Sequence, residues 1–342
     1  MRAAVATAWA GKFSAARQQT SALTPGALAS AVIAIAAAFL SQHYGAPAML
    51  MALLLGMAFH FLSQEGRCVA GIEFVSTRVL RIAVGLLGAQ ISFAEIMSLG
   101  PMPVLIVLGG VILTIVFGSA ASRLLGFEGR FGVLTGGAVA ICGASAALAI
   151  SSVLPKGGTA ARDTAFTVVC VTALSTLAMI IYPMIAATFQ LGDAATGIFL
   201  GGTIHDVAQV VGAGYSVSDE TGNVATFTKL LRVALLLPVV LTLTLCYRPH
   251  RDATMRTPAP VPGFLLVFVG LVVANSIGVI PSAALAAIKD LSRWCLIAAI
   301  AALGMKTSLK ALAQVGAKAL GLVLAETLFL AVLVLGIVAV TR

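Results

Sequence analysis

His205, Asp206 and Gln209 form the sharpest polar cluster in an otherwise apolar sequence. An ionisable group inside lipid is costly and usually faces an interior or a cavity. His205 and Gln209 are four apart and share a helix face, while Asp206 turns elsewhere if the helix breaks nearby. An imidazole titrates near 6.5, so His205 with Asp206 suits proton transfer; an interhelical hydrogen-bond network is the plainer reading. Lys229 and Arg232 lie three apart and can face one way, to pair with Asp206 or to attract an anion. Both also lie within about 12 Å of the start of their segment, where snorkelling to the interface competes. Cys142, Gly143 and Ser145 sit in a glycine-rich stretch where a helix break would present backbone N–H groups to an anion. Ser145 adds a hydroxyl there, and Cys142 reads better as a small packing residue than as a nucleophile. Asn275 and Glu326 are the other polar residues deep in apolar runs; Asn275 joins the candidate site, and either residue can simply bond a neighbouring helix.

Two matching stretches position these residues. One runs GGAVAICGASAALA from Gly136 to Ala149, the other GGTIHDVAQVVGAG from Gly201 to Gly214. Each opens on a glycine doublet, Gly136–Gly137 and Gly201–Gly202. Glycine tolerates backbone dihedrals that other residues avoid. In lipid, a broken helix survives where protein or a water-filled cavity covers it. Close helix packing is the competing use of such glycines. The doublets are therefore read as broken-helix ligand positions together with the polar residues above.

The surrounding chain is a membrane protein. Sixty per cent of its 342 residues are apolar, glycine supplies 34 more, and only 10% are charged. A soluble domain carries about 25% charge. Met102–Ser122 and Pro262–Ile280 hold no charge, and Leu324–Val340 holds only Glu326. Runs of this length span about 30 Å of hydrocarbon as helices and are too long for barrel strands. Eleven segments are expected, at 23–41, 47–63, 79–98, 102–123, 132–154, 164–188, 195–214, 224–246, 261–280, 285–305 and 316–340. The predicted fold is an all-α polytopic membrane protein of about 9–11 transmembrane helices. Residues 1–22 form a cytoplasmic N-terminal segment, and 23–341 form one transmembrane transporter-like domain.

The basic residues orient it. Arg2, Lys12 and Arg17 precede the first segment, which reads as an uncleaved helix rather than a signal peptide. With the N-terminus inside, Arg67, Arg78, Arg81, Arg123, Arg130, Arg248, Arg251, Arg256, Lys306 and Lys310 all fall inside. The loop 215–223, with Asp219 and Glu220, falls outside. Lys156 and Arg162 fit badly if the fifth segment crosses, and fall inside if segments five and seven are re-entrant. The count is eleven crossings, or nine crossings and two hairpins. The net charge of +9 belongs to this topology and not to nucleic acid. The five cysteines are scattered without a CxxC pair, so no disulfide framework or zinc site is expected. An inverted repeat is also expected: Gly88, Ser92 and Gly100 align with Gly304, Ser308 and Gly316 at one common offset, each set followed by an apolar run.

ICGASA at Ile141–Ala146, HDVAQV within Gly201–Gly214, FTKLLR at Phe227–Arg232 and the pattern of Gly304, Lys306 and Ser308 resemble the bacterial inner-membrane family that carries the sulfate exporter label. The resemblance covers about 25–340. It implies about ten helices, distantly like inverted-repeat carriers with crossed broken helices, and no catalytic residues. No HExxH, Walker loop, Rossmann motif or serine triad is present, so neither an enzyme nor a cofactor is expected. The reading is a multi-pass inner-membrane secondary transporter that exports a small inorganic or organosulfur-derived anion such as sulfate or sulfite. Its partners are that anion, the lipid bilayer and a coupling proton, with sodium and plain exchange as the other couplings and room for a homo-oligomer. A membrane-embedded enzyme or a non-transporting subunit of a membrane complex is the alternative.

Overall fold

The computed structural model describes residues 2–155, 159–247, 263–307 and 316–341, with side chains from residue 21 onward. Lys156, Arg248, Arg251, Arg256, Ser308 and Lys310, and the side chains of Arg2, Lys12 and Arg17, lie outside that description. The described chain is helical, without strands. Five stretches are long and apolar enough to cross a bilayer: Ser21–Tyr44, Met102–Leu124, Ala160–Thr188, Asp219–Cys246 and Ala317–Val340. Their outward faces are apolar, with Leu28, Leu105, Ile112 and Val332 more than half exposed, as a lipid-facing surface requires.

The chain divides into two compact units. The first comprises residues 1–84 and 290–307. It holds α1 (Arg2–Tyr44), α2 (Ala48–Ala58), α3 (Val69–Phe74), the start of α4 (Leu80–Leu87) and most of α15 (Ser282–Lys306). α1 runs back to Arg2, so the backbone of the N-terminal segment is helical. Small residues set the packing. A Cβ on Gly56 would fall 2.3 Å from Ala301 O, and one on Gly26 2.0 Å from Cys68 O. The C-terminal end of α15 is held by His60 and Ser63, both bonded to Met305 O at 2.6 Å, and by a Lys306–Glu73 ion pair.

The second unit comprises residues 85–289 and 308–342. It contains α5 (Phe93–Ser98), α6 (Met102–Leu124), α7 (Gly129–Ala140), α8 (Ala144–Ser151) and α9 (Ala160–Thr188). α10 (Asp193–Thr203), α11 (Val207–Val217), α12 (Asp219–Ala234), α13 (Leu236–Cys246), α14 (Gly263–Ser276) and α16 (Ala317–Val340) complete it. Segments five and seven are the interrupted pairs α7–α8 and α10–α11.

Both pairs double back. Arg130 at the start of α7 donates to Pro155 O, just past α8, at 3.2 Å. Along the pair, a Cβ on Gly137 of α7 would meet Ile150 of α8 at 2.3 Å. The mouth of the second pair closes likewise: Asp193 Oδ1 at the start of α10 accepts from Ser218 at 2.6 Å and Thr221 at 2.7 Å. α12 shows the same direction, since Gly197 of α10 lies on Thr221 and Val224, Gly201 lies on Ala225 and Thr228, and Gly214 of α11 lies on Gly222. α10 thus runs parallel to α12, and α11 returns antiparallel to it. The loop expected at 215–223 is a tight corner instead. Ser218 alone separates α11 from α12 and caps α12 through Thr221 N–H, with Asp219 and Glu220 in the first turn, where carboxylates are favourable.

Candidate functional site

The two hairpin tips, Ile141–Gly143 and Ile204–Asp206, meet. Gly143 adopts φ +61° and ψ −123°, a conformation open in practice to glycine alone, and its Cβ position would lie 3.6 Å from His205 Cβ. The crossing helices bear on the tips midway along their length. α9 offers Ser175 and Thr176: Asp206 N–H donates to Ser175 Oγ at 3.0 Å, and Gln209 Nε2 to Thr176 Oγ1 at 3.4 Å. α16 offers Thr327, 3.0 Å from His205 Nε2. The hydroxyl proton of Thr327 goes to Val323 O at 2.8 Å, so Thr327 accepts from Nε2–H. Among the described residues, His205 Nδ1 and Gln209 Oε1 are then buried without a hydrogen-bond partner.

From α12 come the two cations. Lys229 and Arg232 are fully buried, so neither snorkels. Lys229 Nζ donates to Ile141 O at 2.7 Å and Ile204 O at 2.8 Å, one acceptor from each tip. Arg232 donates from Nε to Ala140 O at 2.8 Å, from Nη2 to Val139 O at 2.8 Å, and from Nη1 to Gly201 O and Ile204 O at 3.2 Å. These are the last carbonyls of α7 and α10, which no helix continues to satisfy and which carry the negative ends of the helix dipoles. Charge-assisted bonds of this kind contribute about 1.5–3 kcal/mol each against the cost of burying the charges. One helical turn between Lys229 and Arg232 lets a single face of α12 serve both tips.

The expected site residues therefore separate into groups. Cys142, Gly143, His205, Asp206 and Gln209 gather at the tips. Ser145 lies exposed on the first turn of α8, and Asp206 is half-buried, so the crossover is open on that side. Lys229 and Arg232 join the tips but spend their described hydrogen bonds on carbonyls rather than presenting them to an anion. The glycine doublets are corrected: they lie inside α7 and α10, ahead of the breaks, where they admit neighbouring helices. A Cβ on Gly136 would lie 2.9 Å from Thr114 O, on Gly201 2.3 Å from Ala225 O, and on Gly202 3.2 Å from Val334. Asn275 is also corrected. It sits near the end of α14, donates to Ile91 O at 3.3 Å, and takes no part in the tips. Glu326 binds a neighbouring helix, as one reading of it expected, through Thr135 at 2.7 Å. Ser175, Thr176 and Thr327 were missed, because hydroxyl residues are common in apolar helices and nothing in their spacing marks them. A cavity of about 330 Å³ lies apart, between α5 and the start of α12; Glu95 and Glu220 line it, which makes it a poor anion site.

The family model described as Conserved hypothetical protein 698 matches residues 25–323. A UPF0324 membrane protein of Chlorobaculum tepidum is 59% identical over 315 residues, covering 91% of this chain and 88% of the relative. One from Rhizobium meliloti is 56% identical, covering 91% of each chain. The UPF0324 membrane protein TauZ of Paracoccus denitrificans is 53% identical, covering 91% of this chain and 93% of its own. With the matched region holding both hairpins and the two buried cations, the chain belongs to the UPF0324 family of membrane proteins.

Proposed function

We propose that this protein is a secondary transporter that exports a small anion across the inner membrane, with the anion held between the hairpin tips at the bilayer midplane. The observation that carries this reading is the unequal covering of the four helix ends. Lys229 and Arg232 neutralise the C-terminal ends of α7 and α10. The N-terminal end of α8 has Gly143 as its cap and no capping side chain. A helix N-terminus is equivalent to roughly +0.5 of a charge, and its N–H groups point at an incoming anion. The exposed Ser145 hydroxyl adds a donor. Asp206 stands at the N-cap position of α11 without a side-chain cap hydrogen bond, and its carboxylate charge offsets the positive potential at that end, so the anion sits on the α8 side. Helix ends and a hydroxyl hold an oxyanion without a direct ion pair, which suits a carrier that must also release it. Sulfate, sulfite and small organosulfur-derived anions fit this chemistry, in keeping with the resemblance drawn from the motifs.

The test is counterflow in proteoliposomes with radiolabelled sulfate, sulfite and a small sulfonate. Accumulation of at least one of them against its own gradient is expected. Absence of counterflow for all three, together with turnover of a lipid-soluble substrate, would assign the protein to membrane enzymes. Activity restored only by a co-purifying protein would make it a subunit of a larger complex.

A further inference from the structure

The carbonyls at the hairpin tips form a cation site. Val139, Ala140 and Ile141 from α7 and its exit converge with Gly201 and Ile204 from α10 and its exit, and Ile204 O serves both cations. Half-helix C-terminal ends and unwound carbonyls of this kind are where broken-helix transporters coordinate a coupling Na⁺. Here the acceptors are already taken. We propose that Lys229 and Arg232 are resident cations that fill this carbonyl site, so that no Na⁺ binds between the hairpins. Two features exclude a metal ion while the side chains are in place. All five carbonyls accept hydrogen bonds from these two side chains at 2.7 to 3.2 Å, so an ion would have to displace donors that are covalently held at the site. An added monovalent ion would also sit beside two positive charges in a buried, weakly screened place. A corollary, which rests on the transporter reading, is that transport is independent of Na⁺ and draws on protons or on the substrate's own gradient.

The site makes a second demand. If the carbonyls need a cation and not merely a side chain of that shape, truncating Lys229 opens a place for an external one. The test uses the purified full-length protein in detergent, with thermal unfolding followed in choline, sodium and ammonium chloride at equal ionic strength, and ²²Na⁺ binding measured at equilibrium. The wild type is expected to bind no ²²Na⁺ and to unfold at the same temperature in all three salts. Lys229→Ala is expected to unfold at lower temperature and to recover in ammonium, saturably, with no recovery in choline. Lys229→Gln, which keeps more of the side-chain volume, serves the same comparison if the alanine variant does not fold. Saturable ²²Na⁺ binding by the wild type, or a sodium-specific rise in its unfolding temperature, would overturn the proposal. So would a Lys229 variant that folds, is destabilised, and responds to no cation. Neither measurement needs the transported anion, so a failed uptake assay would count against the transporter reading alone.

Discussion

At the scale of single residues, Gly143 and Asp206 decide what the tips can do. Gly143 holds φ +61° with ψ −123°, which turns the chain from α7 into α8. A Cβ there meets nothing closer than 3.6 Å, so the cost of a side chain is conformational rather than steric. Gly143→Ala is expected to destabilise the protein by about 1–3 kcal/mol, the usual cost of holding such a backbone in a non-glycine residue. Gly270→Ala, in the body of α14 with open space around it, should change stability by less than about 1 kcal/mol. Thermal unfolding of both variants in one detergent reads the difference, and equal midpoints would refute it. Asp206 is the half-buried carboxylate at the crossover, where a fixed negative charge opposes an anion. It suits a group that takes up a proton as the anion arrives. Asp206→Asn is therefore expected to lose pH-driven uptake in proteoliposomes while keeping anion exchange; intact pH-driven uptake would remove Asp206 from the coupling.

At the scale of elements, the hairpins depend on how closely α10 lies on α12, because that approach delivers Arg232 to the Gly201 carbonyl. The neighbouring glycines make the point testable. A Cβ at Gly201 would be 2.3 Å from the backbone oxygen of Ala225, which cannot give way without moving a helix. At Gly202 the nearest obstacle is a Val334 methyl at 3.2 Å, which can adjust. Gly201→Ala should cost about 1–3 kcal/mol, as overpacking of a close interface does, and Gly202→Ala clearly less. The order of their unfolding midpoints checks this, and reversal would sink it. The same glycines show how far the sequence could be read. Hydropathy located the five long apolar stretches, because lipid demands such stretches whatever their partners; the segment expected at 79–98 is instead α4 and the short α5, parted by extended backbone at Ile91 and Ser92. The glycine doublets marked the right two segments, but they pack helices, and the breaks fall a few residues later at Ile141–Gly143 and Ile204–Asp206. The spacing of Lys229 and Arg232 announced a shared face. Their acceptors are backbone carbonyls, which have no sequence signature, so an anion looked the natural partner. Re-entrance rests on short tertiary links, Arg130 to Pro155 and Asp193 to Ser218, whose only trace in the sequence is the poor fit of Lys156 and Arg162 to a full crossing.

At the scale of the whole molecule, the hairpins bear on a topology that charge placement leaves open. Two of the expected segments double back, and among the described residues five helices are long and apolar enough to cross. α9 begins at Ala160, beside the mouth of the first hairpin, and ends at Thr188, beside Asp193 at the mouth of the second. The two hairpins therefore enter from opposite sides and meet midway, where α9 offers Ser175 and Thr176. With the N-terminus inside, Arg162 joins the other basic residues on the inner side, and the misfit disappears. The Lys289–Asp219 ion pair at 2.8 Å puts the starts of α12 and α15 on one side, the outer one. Single cysteines at exposed positions of a cysteine-free variant test this arrangement. Asp219→Cys should react with an impermeant maleimide in intact cells, and Glu128→Cys and Arg162→Cys only after the cells are opened. Labelling of all three from one side would mean that α9 does not separate the two mouths, and the opposed hairpins would have to be given up. Labelling of Asp219→Cys only after opening, with the other two accessible in intact cells, would keep the hairpins and invert the protein, and the direction of anion export would have to be reassigned with it.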